Sequence, residues 1–310
     1  MTPYIRTALV LVASLLSLPG YGTTEPGGRI LVINSDNTVE KYQQTETGFR
    51  QGLGAASRSV VTISLNDNES MNLGQVIARE KPDLVYSIGS RALQWAIPES
   101  THVPILFSSV INWERFGHGK NRYGIANELS LSQELAYLRY LLPEPKRIGF
   151  LYDPRYSQER ISEARRLTRE NNMDMVEQTV DQPGNLGQAL DTLLPRIDLL
   201  WLMADPGVLV DRKAIEKIFA AAARYQKPVY TYSEAMVGLG ASVVVAADNP
   251  TIGRQAANLA VSILNKTPVD EGIQVPAGSR IILNACQLDK LKTRYNDDAL
   301  DAINQLVRCR

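Results

Sequence analysis

The sequence predicts an α/β protein built as two doubly wound parallel-sheet lobes with a ligand cleft between them. Three observations point there. From Arg29 onward, short apolar runs rich in β-branched residues alternate with longer stretches of helical periodicity, the pattern of strands joined by crossover helices. That alternation runs through the chain twice, with similar segments leading into the strands. A chain of 310 residues also exceeds what one typical core organises, so two domains are expected.

Taken in order, residues 1–22 read as a secretory signal peptide. Arg6 supplies the positive start, Ala8 to Leu18 is an unbroken apolar or small run, and Pro19-Gly20-Tyr21-Gly22 places small residues before a cut after Gly22. About eleven apolar residues are too few to span a bilayer of roughly 30 Å. No Cys stands near the cut to carry a lipid. The expectation is a periplasmic protein whose mature chain begins near Thr23.

The first lobe, 28–120, is predicted to hold strands Ile30–Asn34, Val60–Leu65, Leu84–Ile88 and Val103–Phe107. The second, 121–269, is predicted to hold Ile148–Tyr152, Met175–Gln178, Leu199–Met203, Val229–Tyr232 and Ser242–Ala246. Residues from about 270 to 310 are expected to return and complete the first lobe. Continuous apolar strands imply sheets covered by helices on both faces. Predicted helices include Gln158–Asn171 and Arg212–Tyr225; in the latter, Ile215, Ile218, Phe219 and Ala222 fall on one face. The two series share landmarks. Arg29-Ile30 answers Arg147-Ile148, Asp83-Leu84 answers Asp198-Leu199, and Pro104-Ile105 answers Pro228-Val229, at offsets of 118, 115 and 124 residues. Such offsets in the same order indicate a duplication. In open α/β sheets ligands sit beyond the carboxyl ends of the strands, so candidate binding residues are those just after each strand.

Composition removes several function classes. Lys and Arg number 33 against 33 Asp and Glu, and loss of Arg6 with the signal would leave 32 against 33. A charge this close to neutral argues against nucleic acid or an anionic membrane as partner. Cys286 and Cys309 are too few for a disulfide scaffold or a zinc site. A bridge between them and a pair of separate thiols both stay open. Gly52-Leu53-Gly54 lacks the third glycine of a dinucleotide loop, and no nucleophile elbow, Walker loop or His-x-x-x-His occurs. With His102 and His118 the sole histidines, neither metal, cofactor nor catalytic set is expected. The Glu159, Glu163, Arg165, Arg166, Arg169 series reads as a solvated helix face.

The chain resembles the ABC-transporter substrate-binding proteins of the type I periplasmic-binding fold, in particular the branch that includes binders of aromatic amino acids. The resemblance runs from about Arg29 to Lys266 and more weakly beyond. It is carried by Pro82 to Ser90, Val103 to Ser108, Leu141 to Tyr152, Ile197-Asp198 to Asp205, Lys227-Pro228-Val229 and Val237 to Ala241, in that order and spacing. It implies a monomeric, non-enzymatic binder that captures a small, amino-acid-like ligand between its lobes and delivers it to an ABC permease. A membrane receptor that reads the liganded form is the alternative partner, and the alternative class is a periplasmic α/β enzyme, against which the missing nucleophile–base set argues. Two loops depart from the family's usual pattern. Asn112-Trp113 stands where Asp-Pro is usual, and Tyr156-Ser157 where Asn-Ser is usual.

The candidate ligand residues follow from the strand-end rule and the resemblance together. Gly89-Ser90-Arg91 ends a strand and opens a helix, offering free N–H groups and a hydroxyl to a carboxylate; Ser90 could equally be a helix cap. Ser87 and Ser108 lie at the ends of neighbouring strands. Asp205 matches an acidic cleft position of the family and could hold a ligand ammonium, although Asp before Pro206 is also an ordinary turn choice. Glu234 is a second acidic candidate. Asn112, Trp113, Tyr156 and Tyr232 sit in strand-end loops, where aromatic rings suit an apolar side chain or cap a core. Asp248 completes the set, as cleft wall or as cap of a helix beginning near Pro250.

Overall fold

A computed structural model describes residues 28–54, 59–67, 71–117 and 119–309; the signal-peptide reading of 1–22 lies outside them. The first stretch runs β1 (Ile30–Asn34), α1 (Glu40–Leu53), β2 (Val60–Ser64), α2 (Leu73–Glu80), β3 (Leu84–Ile88), α3 (Ser90–Glu99), β4 (Ile105–Ser108) and β5 (Arg122–Ile125). The second runs α4 (Leu131–Leu141), β6 (Arg147–Tyr152), α5 (Pro154–Glu170), β7 (Asp174–Thr179), α6 (Leu186–Leu193), β8 (Leu199–Leu202), α7 (Arg212–Arg224), β9 (Val229–Thr231) and β10 (Val243–Ala247). A tail follows: α8 (Asn249–Leu264), β11 (Ile273–Gln274), β12 (Ser279–Asn284), α9 (Ala285–Lys290) and β13 (Gln305–Val307). Helix starts are marked by short polar caps. Ser130 forms a capping box with Gln133, Asp211 accepts from Ala214 N–H, and Asp248 accepts from Thr251 N–H.

The strands form two sheets, ordered β11-β5-β4-β3-β1-β2 and β13-β12-β10-β9-β8-β6-β7. From the β2 and β7 edges inward, both follow the order 2-1-3-4-5 of one doubly wound unit, so the repeat seen in the sequence is a repeat of topology. Its landmarks do the same work twice. Asp83 Oδ2 accepts the Arg29 N–H at 2.8 Å, and Asp198 Oδ2 accepts the Arg147 N–H at 2.8 Å. The Pro104 and Pro228 carbonyls each receive an N–H, from Val85 and Leu200, at 3.0 Å. Each pair therefore sets the register at the amino ends of its sheet.

Strand residues alternate between the two faces. Ile30 and Val32 join a core with Phe49 and Tyr86, whereas Leu31 and Ile33 join one with Leu93 and Phe107. In the second sheet Phe150, Trp201 and Tyr230 pack in sequence, with ring centroids 5.2 and 5.4 Å apart, the first pair tilted and the second edge-to-face. Burial on both faces is why these strands read as unbroken apolar runs.

The structure corrects the expected lobe boundaries. α8 packs on the first lobe, where Ile252, Ala256, Ala257 and Ala260 share a core with Ile30, Val32 and Phe49. β11 then pairs with β5. The crossing of α8 over α1 is close enough that a Cβ on Gly253 would lie 2.1 Å from the Thr45 carbonyl oxygen. The last segment goes the other way. β12 and β13 extend the second sheet, and β12 runs antiparallel to β10, the departure from an all-parallel arrangement. Thus 249–274 completes the first lobe and 279–307 the second, whereas the sequence predicts α8 in the second lobe and the whole of about 270–310 in the first; β5 also lies in the first sheet, beyond the expected boundary at 120. The reason is packing: α8 presents small residues and two glycine contacts that fit α1, and periodicity alone does not say which neighbour a helix will face. Cys286 and Cys309 are joined in a disulfide, which ties α9 to the segment after β13.

Candidate functional site

The chain passes between the lobes after β5, β10 and β11, and a cavity of about 540 Å³ lies between the strand ends they connect. Its first-lobe wall comes from the opening of α1 (Val39, Glu40, Lys41, Gln44), from Ile111 after β4 and from Asn127 after β5. The second-lobe wall is Tyr232 to Ala235 after β9, with Ala246 and Ala247 at the end of β10, and Asn249 lines the cavity where the chain crosses back into α8. Most of these follow the carboxyl end of a parallel strand, where helix openings and loops leave polar groups free to meet a ligand.

Three charged side chains line the cavity, and two have partners. Glu40 accepts from the Gln44 amide at 2.9 Å, and Glu234 pairs with Arg280 at 3.2 Å. The Lys41 ammonium lies 4.9 Å from the centre of the Tyr42 ring and has no ion pair or hydrogen bond among the described residues. Its burial holds its pKa below the ordinary lysine range, an effect that the Glu128 carboxylate opposes. Burial pushes the Tyr232 phenol up, so it stays a neutral hydroxyl donor and acceptor at neutral pH. Gln44, Asn127 and Asn249 add amide groups.

Behind the cavity, buried polar groups brace the first crossover. Glu128 accepts the Asn112 N–H at 3.2 Å. Glu134 accepts from Arg160 at 2.9 Å and from the Trp201 indole at 3.1 Å. Burial raises its carboxyl to about 7 against the opposing pull of Arg160.

Of the residues singled out from the sequence, Tyr232 and Glu234 line the cavity. Ser90 reaches its edge, its hydroxyl accepting the N–H of Ile111 at 3.3 Å. The helix opening at Gly89 is partly occupied. Gly89 N–H donates to the Ser108 carbonyl, and Ala92 N–H donates to Ser35 Oγ at 2.9 Å. Gly89 itself has φ +90°, and a Cβ there would lie 2.6 Å from Ser35 Oγ, so glycine is required by close approach as well as by conformation. Ser87 is buried inside β3, and the Ser108 hydroxyl lies 2.6 Å from Tyr86 Oη. Trp113 packs on Phe107, with centroids 6.2 Å apart.

Asp205 is bonded within the protein. It is 1% exposed, and its carboxylate accepts N–H groups of Asp153 at 2.8 Å, Gly207 at 2.8 Å and Val208 at 3.1 Å. It clasps the ends of β6 and β8 together and has its acceptor sites filled from the backbone. Asp248 likewise caps α8. The two loops that depart from the family's usual pattern meet each other: the Asn112 amide donates to the Tyr156 carbonyl across the mouth of the cleft at 3.3 Å. The sequence reading missed Glu40, Lys41, Gln44 and Asn127. The strand-end rule applied to β1 and β5 would have found them.

Two lobes of one topology, hinged by crossovers and enclosing a polar cavity, define a cleft-type ligand-binding protein. The chain belongs to the family of ABC transporter substrate binding proteins, whose family model matches residues 42–307. That family consists of binding proteins, not enzymes. A tyrosine-binding protein of Clostridioides difficile (strain R20291) is 23% identical over 244 residues, 76% of this chain and 67% of the relative. Among solved structures, the ligand-free, open form of a Clostridium difficile substrate-binding protein with adhesive properties matches with a TM-score of 0.70 at 20% identity, over 91% of this chain and 100% of the other. An ABC domain from Streptococcus pneumonia in complex with L-Trp matches with a TM-score of 0.66 at 16% identity, with the same coverage. These likenesses establish the two-lobed fold. Among the described residues, no helix is long and apolar enough to cross a membrane, and no His, Cys, Asp and Glu group is placed to hold a metal ion.

Proposed function

We propose that this chain is an exported solute-binding protein that captures a small amino-acid-like ligand between its lobes and presents it to an ABC permease. The carrying observation is the cavity of about 540 Å³, walled by both lobes and lined by charges of both signs, amides and a tyrosine. Its size is that of small-molecule sites, roughly 300–1,000 Å³. The amino-acid class is supported by the tyrosine-binding relative and the L-Trp-bound structure. A ligand touching both walls interacts more strongly with the closed arrangement than with an open one, and this difference is what drives closure. The permease then has a liganded shape to recognise.

The test is a thermal-unfolding screen of the mature protein against the amino acids, followed by calorimetry on each hit. A ligand held at a hundred times its dissociation constant stabilises the fold by about 2.7 kcal/mol, which a shift in Tm reports. The ligand should be recovered chemically unchanged. A screen in which no amino acid moves the Tm counts against the ligand class, and turnover of a hit counts against the binding role.

A further inference from the structure

The cavity's charges are unevenly matched, and the mismatch identifies what the ligand must bring. Glu40 and Glu234 each have a partner within the protein, whereas the half-buried Lys41 ammonium lies over the Tyr42 ring and feels the field of Glu128 without forming an ion pair or hydrogen bond among the described residues. A cation withdrawn from water needs a counter-charge or donor-acceptor partners to offset its lost hydration. The candidates on its own side do not supply one. Glu128 is engaged with Asn112 N–H and the field of Arg160, and Glu40 is engaged with Gln44. The other anion-binding feature of the cleft, the opening of α3, has its N–H groups partly taken by Ser108 and Ser35.

Resting on the solute-binding reading above, we propose that Lys41 is the counter-ion of the cavity and selects ligands that carry a single carboxylate. One ammonium balances one monoanion. A phosphate dianion would face Glu40 and Glu234 in the same cavity with no second free cation among the lining residues. The Lys41 side chain rises from the first turn of α1, where the helix dipole adds to the attraction for an anion. Tyr232, Val39 and Ile111 provide apolar surface for the rest of the molecule, and the amides of Asn127 and Asn249 provide neutral contacts. The carboxylate is thus read by the first lobe through a side-chain charge, and not by the α3 backbone that the sequence suggested.

The wild-type protein, Lys41→Met and Lys41→Arg are titrated calorimetrically with L-tyrosine, L-tryptophan, their methyl esters and inorganic phosphate. The wild type should bind the free acids at least about 30-fold more tightly than the esters, the range of a charged hydrogen bond. Lys41→Met should lose that preference by weakening the acids to the level of the esters, with its unliganded Tm unchanged. Lys41→Arg should keep the preference. Esters bound as well as acids by the wild type, acids bound undiminished by Lys41→Met, or phosphate competing as well as the acids would each overturn the proposal. The wild-type acid–ester comparison decides the matter even if a variant fails to fold. Should the wild type bind none of these amino acids or esters, the amino-acid reading fails alone, and small molecules released by denaturing natively purified protein are identified by mass spectrometry. An acid-bearing molecule recovered from wild type but not from Lys41→Met sustains Lys41. One without an acid, or nothing recovered, overturns it.

Discussion

The two lobes share a strand order and a register clasp, and in both the ends of the first and third strands are tied together, yet the chain leaving the first strand presents different groups to the cavity. In the second lobe the ends of β6 and β8 are closed on each other. Asp205 takes three backbone N–H groups, and Asp153 is held by Arg155, with Arg155 Nε donating to its Oδ1 at 2.9 Å. In the first lobe the chain leaving β1 runs to α1 and sets Glu40, Lys41 and Gln44 along the cavity, one of them a cation without an ion pair. Duplicated topology therefore determines where a site can form, while the local hydrogen-bond pattern determines which copy retains groups for a ligand. A polar group already satisfied inside the protein gains little from a second partner.

The largest expected effect breaks the closed switch point. Asp205→Ala leaves three buried N–H groups without their acceptor and should lower the unfolding free energy by about 3–5 kcal/mol. Denaturant unfolding measures that loss, and ligand affinity of the remaining folded protein should be nearly unchanged. An affinity loss comparable to the Lys41→Met effect, at unaltered stability, would mean that the second switch point is a ligand site after all.

A second effect separates the ways in which the two sheets are finished. The first lobe is closed by α8 and β11, the second by β12 and β13 with the Cys286–Cys309 disulfide, which spans 23 residues. Replacing both cysteines by Ser should cost about 3 kcal/mol, as for a loop of this length. Hydrogen exchange should show the loss in β12, α9 and β13, with the α1–α8 crossing keeping its protection. Equal loosening of both lobes would remove the distinction drawn between them.

The smallest effect concerns the contact that joins the lobes. Asn112→Gly, which tolerates the left-handed backbone of this residue (φ +47°), removes the amide that reaches the Tyr156 carbonyl and should change stability by about 1 kcal/mol. It should also shift the open–closed balance, measurable as a larger radius of gyration for the unliganded protein in solution scattering.

Much of the fold was legible because it depends on near neighbours in the chain. The apolar runs Ile30–Asn34 and Leu84–Ile88 could only be doubly covered strands, and the Asp-Leu and Pro-Ile entries of one lobe reappear in the other. The tail was misassigned because α8 could cover either sheet by its periodicity. The glycines at 48 and 253, which let it approach α1, become informative only as a pair brought together from distant parts of the chain. β5, β11, β12 and β13 were not predicted: β11 and β13 are edge strands too brief for any alternation to register, and β5 and β12 follow loops in which no helix–strand alternation marks them.

The site was half legible. Strand ends are set by local pattern, so the sequence led to Tyr232 and Glu234, which line the cavity, and to Ser90, which bonds to Ile111 beside it. Whether a polar side chain there is free is a long-range property. Asp205 faces the N–H groups of Asp153, 52 residues away, and nothing near it in the chain announces that partner. By itself the sequence determined the class of fold, the duplication and the strand ends at which a candidate site forms, because periodicity, turn chemistry and burial are written residue by residue. Only the tertiary structure decided which lobe receives the tail and which charge is left for a ligand. Those outcomes depend on which distant groups meet, and the resulting hydrogen bonds leave Lys41 without an ion pair in a cavity where the other charges already have partners.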